Sequence, residues 1–309
     1  MARREDSGWR DADLTGWHTG HGFPIPAAGM GMPMIEYDRG RAVGLVNYIR
    51  RGDTLPTGPE VAQMYRAFAG VNDSEDKARL PFLTAIYDPR NWAMKLFPHN
   101  EAAAALVGAQ PGWTGRPLSG GHPGWHPVTE LGFAVVLYGM RKRDVPDMFA
   151  FGVEWNDQPW MDEEPVGNRG GLPFPLADIS ARRREYEPNI SAPMRLKVPC
   201  MDVDLAVADD SDRLSLVVDY KRRGAVVDLK GTNASALASL VRPTGTPVAA
   251  LITRYWSDGA EWWFEAHAVN RSGVAHLTYV LADHKGPMDG WVRMSEAQWL
   301  GVLRAARDL

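Results

Sequence analysis

The sequence predicts an α/β protein made of two tandem copies of one domain. Its 309 residues are long for a single compact domain and comfortable for two, each able to bury its own core. A block of sequence recurs with its parts in the same order. In both copies, strand-like apolar stretches lead into helix-like ones.

The repeat is visible in residues 25–52, IPAAGMGMPMIEYDRGRAVGLVNYIRRG, and 198–224, VPCMDVDLAVADDSDRLSLVVDYKRRG. With one gap, Pro26 falls on Pro199, Gly29 on Asp202 and Gly31 on Asp204. Asn47 falls on Asp219, Tyr48 on Tyr220 and Ile49 on Lys221, and the trailing Arg-Arg-Gly matches outright. Downstream, 78–106 and 245–277 each read as two apolar strands joined by a polar turn, then an Asn (Asn100, Asn270) opening an Ala-containing helix. Gly124-Trp125 precedes Thr129-Glu130 by the spacing that separates Gly290-Trp291 from Ser295-Glu296, and helical patterns follow both. The predicted boundaries are 1–144 for the first copy, 145–176 for a Pro-, Gly- and acid-containing linker or insertion, and 177–309 for the second.

In the second copy Val203, Leu205 and Val207 alternate with Asp202, Asp204 and Ala206, as in a half-buried strand. LSLVVDY at 214–220 is rich in β-formers, and Asp209–Asp212 supplies the turn of a hairpin between the two. Ala234–Val241 reads as a helix, followed by the strands VAALITRY and EWWFEAHAV. Asn100 and Asn270 read as N-caps, whose side chains satisfy a free helix N–H.

Composition sets bounds. Hydrophobic residues are 45% and charged residues 23%, as in ordinary globular proteins. No apolar run approaches a membrane span, and the charged start lacks the apolar core of a signal peptide. One cysteine, Cys200, excludes an intrachain disulfide and fits a reducing cytoplasm. A net charge of −4 gives no whole-chain basic signal for nucleic acid. The twelve tryptophans are expected in cores or interfaces.

The chemistry-bearing pattern is Asp202-Val-Asp204, a turn, then Asp219-Tyr-Lys221. Alternation puts Asp202 and Asp204 on one face of their strand, and Asp219 and Lys221 on one face of the next. Carboxylates converging there would be hard ligands for Mg²⁺ or Mn²⁺, which binds one or two of them plus substrate phosphate. The metal would activate a water and neutralise charge on the transferring phosphate, and Lys221 would add a point charge. The plainer alternative is a solvated Asp219–Lys221 ion pair of little energetic worth.

VPCMDVDL followed by LVVDYK resembles the PD-(D/E)xK, or restriction-endonuclease-like, superfamily. The resemblance covers about 198–280 by motif and 25–107 by the repeat. It implies two restriction-endonuclease-like domains, each a mixed central sheet flanked by helices. It also implies metal binding by Asp204 (or Asp202) and Asp219, with Lys221 assisting catalysis. Glu185 or Glu187 could supply the acid that the family often carries on a preceding helix. In the first copy Gly29, Gly31, Asn47 and Ile49 fill the four positions, so that copy is expected to be catalytically dead. The family often pairs two active sites to cut both strands, so one live copy implies nicking or single-strand cleavage.

Other candidates read as structural. Glu36-Tyr37-Asp38 is placed in a solvated turn, and Arg182–Arg184 and Arg141–Arg143 on solvated helix faces. His18 with His21, and His122 with His126, lack the companions of a metal site. SGGHPGW and DLKGTNAS lack the phosphate-loop pattern and read as loops. The leading expectation is a Mg²⁺- or Mn²⁺-dependent nuclease acting on nucleic acid, DNA first, through the second copy, with Arg222 and Arg223 steering phosphates. The rival is a non-catalytic nucleic-acid- or protein-binding factor of phage or mobile-element type, with the two copies as an intramolecular pseudo-dimer.

Overall fold

After a short helix, α1 (Leu14–Gly20), the chain enters its first hairpin. In this computed structural model, Arg39 and Gly40 take positive φ values of 51° and 78° and turn β1 (Met34–Asp38) back on β2 (Arg41–Arg50). Next come α2 (Pro59–Ala69), β3 (Asn72–Asp73), β4 (Phe82–Tyr87), β5 (Met94–Pro98), α3 (Glu101–Gly108), β6 (His126–Val128) and α4 (Glu130–Met140). The structure describes residues 14–23, 33–52, 58–88, 93–108, 124–141, 200–201, 203–259, 261–284, 286–288 and 290–308. The expected linker at 145–176 lies outside them, as do Gly29, Gly31, Arg182–Arg184, Glu185, Glu187 and Asp202.

The order then repeats. A short strand, β7 (Cys200–Met201), precedes β8 (Leu205–Ala208), β9 (Leu214–Arg222), α5 (Thr232–Ala238), β10 (Leu240–Val241), β11 (Ala249–Ser257), β12 (Trp262–Ala268), α6 (Arg271–Val280), β13 (Val292–Ser295) and α7 (Glu296–Arg307). The fold is mixed α/β with two mixed sheets flanked by helices. One runs β6-β5-β4-β2-β1-β7, the other β13-β12-β11-β9-β8. In each, the hairpin's second strand pairs parallel to the second strand after the next helix, β2 with β4 and β9 with β11, and the remaining pairs are antiparallel.

Asn100 and Asn270 fix the correspondence between the halves. Each caps a helix, its Oδ1 accepting from Ala103 N at 3.0 Å or Gly273 N at 2.8 Å. Each Oδ1 also accepts from a central strand, at Phe82 N or Ala250 N. Each Nδ2 donates to two carbonyls, Ala69 and Leu80 in one half, Ala238 and Val248 in the other. Phe82 pairs with Leu45 and Ala250 with Val217, so Asn47 and Asp219, two residues on, are structurally equivalent. Both hairpins carry an irregularity at the same place, Glu36/Tyr37 and Val207/Ala208.

The halves interlock about a pseudo-two-fold axis. The equivalent strands β3 and β10 pair antiparallel with Asn72 opposite Val241. Each hairpin is followed by a helix that packs on the other half's sheet, α2 on β8 and β9, α5 on β1 and β2. Gly40 is required at this crossing: besides its positive φ, a Cβ there would lie 2.9 Å from Ser235 Cβ of α5. Arg66 of α2 reaches Asp212 at the opposite hairpin turn (2.6 Å), and the Tyr37 hydroxyl donates to Asn233 on α5 (2.6 Å).

Burial follows from this exchange. The inner faces of both sheets, with Phe68 of α2 and Leu237 of α5, form one shared core. Each outer face packs on its own helices, through Val46, Leu96 and Val136 in the first half and Leu216, Phe264 and Trp299 in the second. Trp17 and Phe23, from the start of the chain, belong to the second half's outer core. No described helix is long and apolar enough to cross a membrane.

Four expectations are corrected. Ala234–Val241, expected as helix, is helix only to Ala238 and ends in strand β10 at Leu240–Val241, which pairs with β3. Glu36-Tyr37-Asp38 is strand rather than solvated turn: Glu36 is fully buried in β1, where Tyr48 donates to it at 2.8 Å. Arg141 is buried too, its guanidinium 3.6 Å from Glu36 and donating to the Leu137 carbonyl at 2.7 Å, so it is not on a solvated face. The strand expected to be half-buried starts at Leu205, and all four of its residues are buried, because both sheet faces are covered.

Candidate functional site

β8 and β9 carry the motif. Leu205 pairs with Val218, so Asp204, just before β8, falls beside Asp219 at the end of the hairpin. Outer-core side chains alternate along β9 at Leu216, Val218 and Tyr220. That alternation turns Asp219 and Lys221 to the opposite face. The sequence thus placed Asp219 and Lys221 on one strand face, as found, and the hairpin turn at Asp209–Asp212 as found.

The acids have protein partners. Asp219 is buried, with 4% of its surface exposed, and its Oδ1 holds the Lys221 ammonium in a close ion pair. Asp204 Oδ2 accepts the Tyr220 backbone N–H at 2.6 Å, satisfying a strand amide that β8 is too short to reach. Asp202 lies outside the described residues. Among the described residues no group of three or more His, Cys, Asp or Glu side chains is placed to hold a metal ion. As placed, the Asp219 carboxylate is tied to a lysine and that of Asp204 to the backbone.

Beneath the motif, on the outer face, lies a buried polar chain that the sequence did not signal. Trp299 Nε1 donates to the Tyr220 hydroxyl at 3.0 Å, which leaves the phenol proton for His18 Nε2, also at 3.0 Å. Burial raises the Tyr220 phenol well above its usual range. His18 is pushed down to about 3, first by burial and then by the neighbouring His21. His18 is thus neutral. Trp17 beside it donates to Glu296 at 2.6 Å, and Arg307 donates to the Gly22 carbonyl at 2.9 Å while lying over Phe23. The contacts of this segment span more than 200 residues and leave no local pattern in the sequence.

Lys221, Arg222 and Arg223 continue the strand outward. Arg222 and Arg223 are exposed, and Arg223 stacks over Trp256 with 4.8 Å to the ring centre. His21, read with His18 as lacking the companions of a metal site, packs against Trp17 and lies 3.4 Å from Glu296, a structural arrangement. His122 lies outside the described residues and His126 begins β6. DLKGTNAS is turn up to Gly231, after which Thr232 opens α5.

No protein family, curated protein or solved structure matches this chain.

Proposed function

We propose that this protein is a non-catalytic binding factor, built as an intramolecular pseudo-dimer of two nuclease-like halves, that holds a partner without cutting it. The observation that carries this reading is the commitment of both described motif acids to the fold, Asp219 to Lys221 and Asp204 to the Tyr220 amide. A carboxylate already neutralised by an ammonium gains less from a divalent ion.

A second reading, metal-dependent phosphodiester hydrolysis at Asp204, Asp219 and Lys221, is favoured by one feature. The acid–lysine strand β9 sits between the hairpin strand that follows Asp204 and the parallel strand β11, so the three motif groups share one end of the sheet. In that reading Mg²⁺ would be held by Asp204 and Asp219 and would activate water, while Lys221 would place positive charge on the phosphate.

One experiment separates them. Wild-type, Asp219→Asn and Lys221→Ala proteins are titrated with Mn²⁺ by calorimetry and incubated with single- and double-stranded DNA and RNA. The binding reading expects no Mn²⁺ site lost in Asp219→Asn and no cleavage above a no-protein control. Metal-dependent cleavage that disappears in Lys221→Ala would establish hydrolysis instead.

A further inference from the structure

The inner face of the second sheet, beyond the part covered by the shared core, carries an unusual set of side chains. Leu251, Phe264, Ala266, Val292 and Met294 point into the outer core. Alternation therefore turns Arg254 and Trp256, Trp263 and Glu265, and Arg293 to the other side, with Lys221. Strand register sets them in rows. Lys221, Arg254, Glu265 and Arg293 lie side by side across four strands, and Trp256 is paired directly with Trp263 in the next row.

Three arginines lie over the indoles. Arg293 sits 4.7 Å from the Trp263 ring centre and 5.6 Å from that of Trp256, while Arg223 covers Trp256 from the β9 side. Arg254 stacks on Trp291 at 4.1 Å. Arg223 and Arg293 are exposed and Trp263 is half-buried. This patch gathers four cations against two carboxylates, Asp219 and Glu265, on a chain whose net charge is −4.

The fold does not demand such a surface. The equivalent row in the first half is Ile49, Ile86 and Lys95, from the matching register. Trp256 and Trp263 have Asp88 and Ala93 in their places, where Asp88 N donates to the Ala93 carbonyl. On the same backbone, Ile49, Ile86, Asp88 and Ala93 of the first half stand where the second has Lys221, Arg254, Trp256 and Trp263.

We infer that this face binds single-stranded nucleic acid, with Arg223 and Arg293 on phosphates and Trp263 stacking on a base. The inference rests on the binding reading above and names its ligand. Exposed guanidiniums over indoles present planar N–H donors to solvent, the geometry that matches phosphate oxygens. A half-exposed indole offers a base a flat partner without regard to sequence. A flat sheet face suits a single strand laid across it; a duplex keeps its base faces inside and is read by an element inserted into a groove.

Fluorescence polarisation with labelled oligo-dT, oligo-U and a duplex of equal length, in EDTA and at stepped salt, tests it on the full-length protein. Single strands should bind, weaken as salt rises, and exceed the duplex by at least about tenfold. Arg223→Glu/Arg293→Glu should cost about tenfold or more and Trp263→Leu about fivefold or more. Arg304→Glu, exposed on α7 on the other side of the sheet, should stay within about twofold. Circular dichroism melts confirm that the variants are folded. Absence of single-strand binding at low salt would overturn the inference, as would variants that bind like wild type, a duplex that binds as tightly, or competition by polyglutamate equal to that by oligo-dT. Cleavage in Mg²⁺ alongside intact single-strand binding would end the non-catalytic reading and leave this one standing; neither cleavage nor binding would do the reverse.

Discussion

Arg51 and Arg223 stand at the same place, just past the second strand of each half, and each backbone N–H donates to a tyrosine carbonyl, Tyr87 at 2.8 Å and Tyr255 at 3.2 Å. From there they part. Arg51 is buried on Asp88 at 2.8 Å, whereas Arg223 is exposed over Trp256. The outer faces diverge in the same way. Tyr48 and Arg141 both reach Glu36, an acid inside the first half's own strand. Their counterparts Tyr220 and Arg307 turn to His18 and the Gly22 carbonyl, supplied from outside the second half. At these positions the first half closes its polar groups on itself, while the second spends them on α1 and on a basic, aromatic surface. A shared backbone leaves this freedom because the network at Asn100 and Asn270 and the exchanged helices, not these side chains, hold the strands in register.

The strongest way to break the comparison is at Glu36. The second half has Val207 at the equivalent position. Glu36→Val alone should destabilise by about 3–5 kcal/mol, because it leaves the Arg141 guanidinium buried beside an apolar side chain. Adding Arg141→Leu should recover most of that loss, since an apolar replacement of a whole buried pair is often neutral. Urea melts of the single and double variants read both numbers. A single variant costing under about 1 kcal/mol would mean that the pair is not what closes this half.

Next in size are the two asparagines. Asn100→Ala and Asn270→Ala each remove a helix cap and strand-to-turn bonds, and should cost about 2–4 kcal/mol apiece. Asn→Asp should not rescue either, because a carboxylate keeps the acceptor but faces two carbonyls with no donors. Costs that differ by more than about 2 kcal/mol would show that the equivalence is geometric and not energetic.

These residues also show what was legible in the sequence. Asn100 and Asn270 could be read as caps because a cap is a local signal, an Asn ahead of a helical pattern. Their bonds to distant backbone amides and carbonyls could not be read, since those partners lie 18 to 32 residues away. The pairing of Asn47 with Asp219 came from aligned blocks, and strand register places the two alike. Glu36 misled because an Asp and a Glu around a tyrosine resemble a turn, and the partner that allows its burial, Arg141, is 105 residues on. The exchange of α2 and α5 escaped altogether: amphipathicity says that a helix buries a face, not against which sheet. The same limit hid the sheet face with Arg293 and Trp263, whose neighbours come from four strands.

Acid should act on both halves through histidine. His18 is lowered to about 3 and His99, half-buried and stacked on Phe82, to about 4. Both bind a proton more readily unfolded than folded, so their stabilising effect is complete above about pH 6.5 and is lost as pH falls from there toward those values. The urea midpoint should therefore drop below pH 6.5, and His18→Gln and His99→Gln should each flatten the slope. His18→Gln should in addition loosen α1, read as a change in tryptophan fluorescence from Trp17. An unchanged slope in His18→Gln would mean that α1 leaves before the histidine titrates.

The smallest effect is the most informative about the motif. Replacing Asp219 and Lys221 by the residues of the first half, Asn and Ile, asks whether the acid–lysine pair supports the fold or was placed for a partner. Lys221→Ile alone leaves a buried carboxylate without its ammonium, and should cost more than the double change Asp219→Asn/Lys221→Ile. The double variant should lie within about 1 kcal/mol of wild type, because Lys221 is 36% exposed and solvent screens what the pair contributes. The difference, a coupling of about 1 kcal/mol or more from a double-mutant cycle, is the signature of a self-satisfied pair. Coupling near zero would mean that the two groups hold each other weakly. Asp219 would then be available to another cation, and the balance would move from the binding reading toward the hydrolytic one.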